Sequence, residues 1–164
     1  MLMRFELNER PIMDLAFTVF AHVSRPSREV FEAVADPAQL SRYFTTGGAD
    51  GRLAPGATVS WDFHDFPGRF PVWVLEVDPG RSIVVEWEGH EGGGPAGYRT
   101  RVTFTFEPVD NDTRTKVSVT EQGWDASATG IDASYGNCMG WSQMLAALKI
   151  WVEHGINLRD GMYV

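Results

Sequence analysis

Cysteine is nearly absent from the chain: Cys138 stands alone among 164 residues. No internal disulfide can form, and nothing in the cysteine usage points to an oxidising compartment. Histidine is sparse too, and the four histidines together with the one cysteine are scattered without metal-ligand spacing. Basic residues are outnumbered, with 14 Lys and Arg against 22 Asp and Glu, a formal net charge of −8. A chain so acidic, with no clustered basic run, is repelled by a phosphate backbone, so nucleic acid is not an expected partner. No apolar run is long enough to span a bilayer, and the opening MLMRFELNERPIMDLAF carries Glu6, Glu9, Arg10 and Asp14 where a signal peptide needs an uninterrupted apolar core. These features predict a soluble, cytoplasmic protein. No Gly-x-Ser-x-Gly elbow is present and Cys138 has no histidine near it in sequence, so nucleophilic catalysis has no named pair. Cys138 reads as a buried, inert thiol, and no cofactor is called for.

What is present is hydrophobic and aromatic. Apolar residues make up 43% of the chain and charged residues 22%, enough to bury a core at this length without staples. Residues 1–14 show no clean period and read as an N-terminal leader, packed on the body or not. Residues 15–164 read as one domain.

The segment AFTVFAHVS (16–24) is β-branched and aromatic and is stopped by Pro26, which predicts a first strand with Phe17, Val19, Ala21 and Val23 on one face. Ser24 or Ser27 then caps a helix carrying Val30, Phe31 and Val34 at helical spacing. Asp36-Pro37 opens a second short helix whose apolar side is Leu40, Tyr43 and Phe44.

Glycines and prolines next punctuate a run of strands at about 57–64, 69–78, 82–88, 98–107 and 113–122, joined by connections short enough to make them antiparallel neighbours. Tyr98, Thr100, Val102, Phe104 and Phe106 alternate with Arg99, Arg101, Thr103 and Thr105, one dry face against one wet. A turn at Asp110-Asn111-Asp112 leads to a partner strand with Val117 and Val119 inward, and the same phase turns Glu121 inward. The Gly-rich stretch at 89–97 reads as a lid or a long hairpin tip; it lacks the Lys and following helix of a phosphate loop. Asp132 or Ser134 starts a final helix with Trp141, Met144, Leu145, Leu148, Trp151 and Val152 as a broad apolar stripe, ended by Gly155.

The phase points Trp61, Phe63, Trp87, Phe104, Phe106, Trp141 and Met144 into the space between sheet and final helix. The functional reading is an aromatic pocket for a flat or lipid-like ligand, with Leu145 and Leu148 behind it and Tyr98 and Glu121 as polar contacts near its mouth. The plain alternative is that the rings simply fill that space. Glu121 is the sharpest single residue, because a carboxylate on an apolar face must be paired, hydrogen-bonded or protonated, and a raised pKa makes it the candidate acid or base. Its place at a strand end beside Gly123 favours instead a solvated rim, where the charge costs little. Asp62 and His64 share a strand face, as a base and its orienting carboxylate must, but that face points away from Trp61 and Phe63, so they read as loop residues. His22 and His154 read as structural, the latter at the negative end of the final helix.

The order of elements, strand, two short helices, antiparallel strands, long helix, is that of the α+β helix-grip fold. Pro26, Val30, Phe31, Asp36-Pro37, Leu40 and Tyr43-Phe44 resemble the early pattern of the activator-of-heat-shock-ATPase-like branch of the START-like, or SRPBCC, superfamily. That superfamily also holds polyketide cyclases. Gly68, Val74, Glu76-Val77, Pro79, Ile83, Val85 and Trp87 continue the pattern, and Glu121, Gly123-Trp124, Gly140-Trp141, Leu145, Leu148 and Lys149 match its late signature. The resemblance covers about residues 16–155, adds Trp124 to the candidate ligand contacts, and implies a curved antiparallel sheet of about six strands wrapped around the C-terminal helix. It implies a small hydrophobic molecule as partner. A cyclase- or hydrolase-type enzyme using the same cavity and a chaperone contact are the alternatives it permits, although the acidic surface bears no specific mark of the latter. Exposed edge strands leave a homodimer open.

Overall fold

The computed structural model describes residues 14–89 and 97–164. The expectations for a leader at 1–14, apart from Asp14, and for most of the Gly-rich stretch at 89–97 fall outside the described residues.

Strand β1 (Ala16–Val23) leads into α1 (Ser27–Ala35) and the short α2 (Pro37–Leu40). The strands β2 (Gly48–Asp50), β3 (Thr58–Asp62), β4 (Phe70–Asp78), β5 (Ser82–Glu88), β6 (Arg99–Val109) and β7 (Arg114–Gln122) follow, and α3 (Ala128–His154) closes the order. The strands form one curved, unclosed antiparallel sheet in the order β1-β7-β6-β5-β4-β3-β2, so the chain's first strand sits at one edge and its shortest at the other. This is the helix-grip arrangement, with a seventh strand beyond the six that alternation gave. The addition, β2, is only Gly48-Ala49-Asp50, too short and too poor in β-formers to announce itself; it exists because Gly48, Ala49 and Asp50 pair with Asp62, Trp61 and Ser60.

Curvature has a local cause in β4. The register slips between Val74, opposite Val85, and Glu76, opposite Val84. The extra residue is Leu75, left 38% exposed, and a bulge of this kind bends the strand and deepens its twist. Val72 and Val74 before it, and Val77 after it, all reach the concave side. At the β6–β7 turn, Asp110, Asn111 and Asp112 all take positive φ, which short polar side chains tolerate better than other non-glycine residues.

Two start signals fall elsewhere than expected. The residue before α1 is Pro26 with no side-chain cap, and Ser27 is already helical; Ser24 spends its backbone N–H on Glu153 Oε1 at 2.9 Å. Helix α3 begins at Ala128, a turn or more before Asp132 and Ser134, because the Ser127 side chain accepts from Gly130 N at 3.1 Å. Gly130 is required there, since a Cβ on it would lie 1.9 Å from Asp125 O. At the other end Gly155 terminates α3 in the left-handed conformation, as its position in the sequence indicated.

The core fills the space between the concave sheet face and α3, with α1 and α2 closing one end. The C-terminal half of α3 is tied to β1: Lys149 Nζ donates to His22 O at 3.0 Å and meets Glu153 Oε2 at 2.8 Å. Burial would raise the Glu153 carboxyl, but hydrogen bonds from Lys149 and Ser24, with the Lys149 charge, hold it below its ordinary value. At the α1 end, Tyr43 Oη donates to Ala33 O at 2.8 Å, and complete burial pushes its phenol well above the usual range. Among the described residues, no helix is long and apolar enough to cross a membrane.

Candidate functional site

Three strands and the long helix converge on one carboxylate. Alternation in β7 turns Thr115, Val117, Val119 and Glu121 to the concave side, and all are buried. Glu121 is 0% exposed, so the rim reading is corrected: α3 crosses above the strand end and removes the solvent that the neighbouring glycine suggested. Trp87 Nε1 from β5 donates to Glu121 Oε1 at 2.8 Å, and Thr100 Oγ1 from β6 at 2.6 Å. Trp87 and Thr100 are cross-strand partners, so both donors arrive from one rung of the sheet. From α3, Trp141 Nε1 donates to Oε2 at 2.7 Å, and Asn137 Nδ2 lies 3.1 and 3.2 Å from the two oxygens.

All four partners are neutral. Burial pushes the Glu121 carboxyl above its ordinary value, while the hydrogen bonds from Thr100, Trp87, Trp141 and Asn137 pull it down. The indole N–H and amide N–H₂ groups can only donate, while the Thr100 hydroxyl donates to a carboxylate or accepts from a carboxylic acid, so the set of partners serves either form of Glu121. Asn137 was not among the residues that the sequence brought forward. Its signal is its place one turn before Trp141 on the same helix face, where a polar side chain interrupts an apolar stripe.

Around this carboxylate lies a continuous aromatic network. Trp141 stands 5.3 Å from Trp87, 5.3 Å from Phe104 and 5.4 Å from Phe44, measured between ring centroids. Phe44 in turn stands 5.2 Å from Phe63 and 5.7 Å from Trp61, and Phe70 lies 5.8 Å from Trp87. Trp61, Phe63, Trp87, Phe104, Trp141 and Met144 are therefore brought together as their phase indicated, with Leu145 and Leu148 buried on the same helix. The rings are in contact, so a ligand would part ring–ring contacts as it entered.

The remaining candidates make other contacts. Phe106 is buried but its ring partner is Phe31 of α1, at 5.4 Å. Trp124 stacks on Phe17 of β1 at 5.3 Å. Tyr98 is half-buried and lies over the backbone of Gly89, where a Cβ would come within 2.2 Å of its ring. Asp62 and His64 serve the loops: Asp62 Oδ1 accepts from Gly68 N at 2.9 Å, and His64 Nδ1 pairs with Thr46 Oγ1. Cys138 is half-exposed on α3 rather than buried, because the buried stripe of the helix passes through Asn137 and Trp141 beside it.

A second buried acid was missed from sequence. Asp65, in the β3–β4 connection, accepts from Arg159 Nη2 at 2.9 Å, and the two side chains are 1% and 9% exposed. Arg159 belongs to the segment after α3, and its guanidinium lies 4.6 Å from the Phe63 ring centre and 5.8 Å from that of Phe44. Tyr163 further along the same segment contacts Phe66 at 5.6 Å and hydrogen-bonds Gln143. A lone Arg in a segment without period reads as solvated, so nothing in the sequence signals this closure. Among the described residues, five buried side-chain atoms have no hydrogen-bond partner: Thr45 Oγ1, Trp61 Nε1, Trp124 Nε1, Asp65 Oδ2 and Arg159 Nε. On the β2 side of the sheet an open groove of about 460 Å³ is lined by Asp50, Thr58, Ser60, Arg69 and Pro71, with Arg69 donating to Ser60 Oγ at 2.9 Å.

The family model described as "Activator of Hsp90 ATPase homolog 1-like protein" matches residues 24–153. Among solved structures, protein SSP2350 from Staphylococcus saprophyticus is similar at 23% identity over 88% of this chain and 96% of its own, with a TM-score of 0.72. DynU16, a protein of the dynemicin biosynthetic locus, is similar at 24% identity with a TM-score of 0.69, over 85% of this chain but 48% of its own. The Aha1 dimer from Colwellia psychrerythraea gives 21% identity over 86% and 98% of the two chains, with a TM-score of 0.68. At these identities the likeness shows the fold. No curated protein matches the chain.

Proposed function

The chain belongs to the Activator of Hsp90 ATPase homolog 1-like family, and from that premise we propose that it binds a small hydrophobic or aromatic molecule between the concave sheet and the C-terminal helix. The observation that carries this reading is the unbroken ring network from Phe63 through Phe44 and Trp141 to Phe104, gathered on one side of a bent sheet. Such faces supply the large contact area and polarisable surface that flat ligands need, with a few polar groups to fix orientation.

In this reading Glu121 is a brace rather than an acid or base. Both of its oxygens are occupied by protein donors, so a proton transfer to substrate would first require some of them to leave. Its role is to hold Trp87 and Trp141 at fixed angles to the pocket. The fit to a ligand-binding fold supports binding over turnover, and binding is tested directly by native mass spectrometry of the purified protein before and after unfolding. A released small molecule of aromatic or lipid class is the expected result. A clean mass, together with no measurable uptake of neutral naphthalene probes, would sink the proposal.

A homodimer is a second reading, favoured by Ile131, Tyr135 and Met139, which lie four residues apart on α3 and are 37%, 71% and 52% exposed. The Colwellia protein of the same fold is described as a dimer. Sedimentation velocity across a concentration series separates monomer from dimer, and a constant monomer value would end this reading.

A further inference from the structure

The segment after α3 inverts the pattern of a core segment. Along 154–161 Arg159 alone is buried, while Ile156 and Leu158 are 56% and 37% exposed. Among the described residues, no backbone hydrogen bond joins residues 156–164 to another element. Its anchors are side chains: Arg159 reaches Asp65, Tyr163 hydrogen-bonds Gln143, and the Tyr163 ring meets Phe66. The Arg159 anchor is itself half-made. Only Nη2 bonds Asp65, through Oδ1, and both Asp65 Oδ2 and Arg159 Nε are buried without a partner. A two-pronged pair would hold more firmly, and a buried ion pair with bonds missing recovers little of its desolvation cost.

What this anchor touches is the aromatic network. The Arg159 guanidinium lies 4.6 Å from the Phe63 ring centre and 5.8 Å from that of Phe44, and both rings are only 5% exposed. Phe44 follows α2, Phe63 follows β3 and Asp65 lies in the β3–β4 connection, so connecting segments border the network here. Around Trp87, Phe104 and Trp141 the network is carried by β5, β6 and α3, which Glu121 ties together. Local opening is drawn from stretches with few backbone bonds and few buried apolar contacts, and 156–164 is such a stretch.

We propose that residues 156–164 form a displaceable strap over Phe44 and Phe63, and that a ligand enters the network when the strap lifts. This rests on the ligand-binding reading and adds its route of entry. Lifting breaks no helix or strand. It returns the Arg159 charge and the Tyr163 hydroxyl to water and frees the side of Phe63 and Phe44 that the guanidinium contacts.

Stopped-flow mixing of the full chain with excess N-phenyl-1-naphthylamine, a neutral probe that fluoresces in apolar surroundings, tests this. When entry waits on a rare open form, the association rate scales with the population of that form. Asp65→Asn removes the charge that holds Arg159 and should raise association about tenfold without loss of affinity. Tyr163→Ala, which releases Gln143 and Phe66, should raise it about threefold on the same terms. Tyr163 is half-buried, so its variant decides the matter should Asp65→Asn fail to fold. Association within about twofold of the parent in a folded variant overturns the strap and leaves the container reading standing. Faster dissociation with unchanged association overturns it too, since that is what a merely loosened core would give. Failure of the parent and both variants to bind the probe overturns the container reading and the strap together.

Discussion

Two buried acids, Glu121 and Asp65, are both joined to the same aromatic network and solve the burial problem in opposite ways. Glu121 has no cation and needs none: four neutral donors from β5, β6 and α3 fill both oxygens. Asp65 has a full positive charge 2.9 Å away, yet its Oδ2 and the Nε of its partner remain unbonded. A bidentate pair would have used both. The difference teaches that hydrogen-bond completeness, rather than charge pairing, marks which part of this molecule is locked. Glu121 ties the helix to the sheet through regular elements, whereas Asp65 and Arg159 lie on connecting segments and keep bonding capacity in reserve.

The largest expected effect is at Glu121. Glu121→Ala leaves two indole N–H groups, an amide and a hydroxyl without acceptor in a dry site and should cost about 4 kcal/mol in chemical denaturation. A loss under about 1 kcal/mol would show that water reaches the site and that the brace is not one.

The ion pair should break differently. Asp65→Ala strands the Arg159 charge among Phe44 and Phe63 and should cost about 3 kcal/mol, while Asp65→Leu with Arg159→Met should return to within about 1 kcal/mol of the parent. No comparable single compensation exists for Glu121, whose donors come from four residues. Additive losses in the double variant would erase the distinction between the two sites.

The smallest effect is in pH dependence, where Glu121 and Glu153 carry opposite signs. Glu153 has its folded value held below 4.5, so its contribution is complete above that ordinary value and is lost as pH falls through the lower one. Replacing it by Gln should flatten the acid limb of the stability profile. Glu121 has its folded value raised above 4.5, so the folded state holds the extra proton and stability declines as pH rises through the window above 4.5. Comparing each Gln variant with the parent by denaturation between pH 3 and pH 7 reads both signs, and equal slopes for the two variants would contradict the assignment.

Much of the site was legible because strands have a period of two. Alternation alone turned Val117, Val119 and Glu121 inward and set Trp61 and Phe63 opposite Asp62 and His64. Depth was not legible. A strand residue knows its side of the sheet but not whether a helix will arrive over it, so Glu121 read as rim when α3 makes it core. Asn137 and Arg159 were lost for a related reason: a polar residue within an apolar stripe and a lone cation after a helix both look solvated until their partners, distant in sequence by 16 and 94 positions, are seen beside them. The strand β2 and the true start of α3 escaped because both depend on single contacts, a rung with β3 and a serine cap.

The sequence by itself determined the order of elements apart from β2, the face each strand turns inward, the aromatic lining of the concavity and the stop at Gly155. These are local properties, set by side-chain period and backbone preference within a few residues. Only the tertiary structure decided that Glu121 is dry, that its oxygens are filled by neutral donors, and that Asp65 and Arg159 pair beside Phe44 and Phe63. Burial and hydrogen-bond satisfaction are properties of what comes from elsewhere in the chain, and no local pattern contains them.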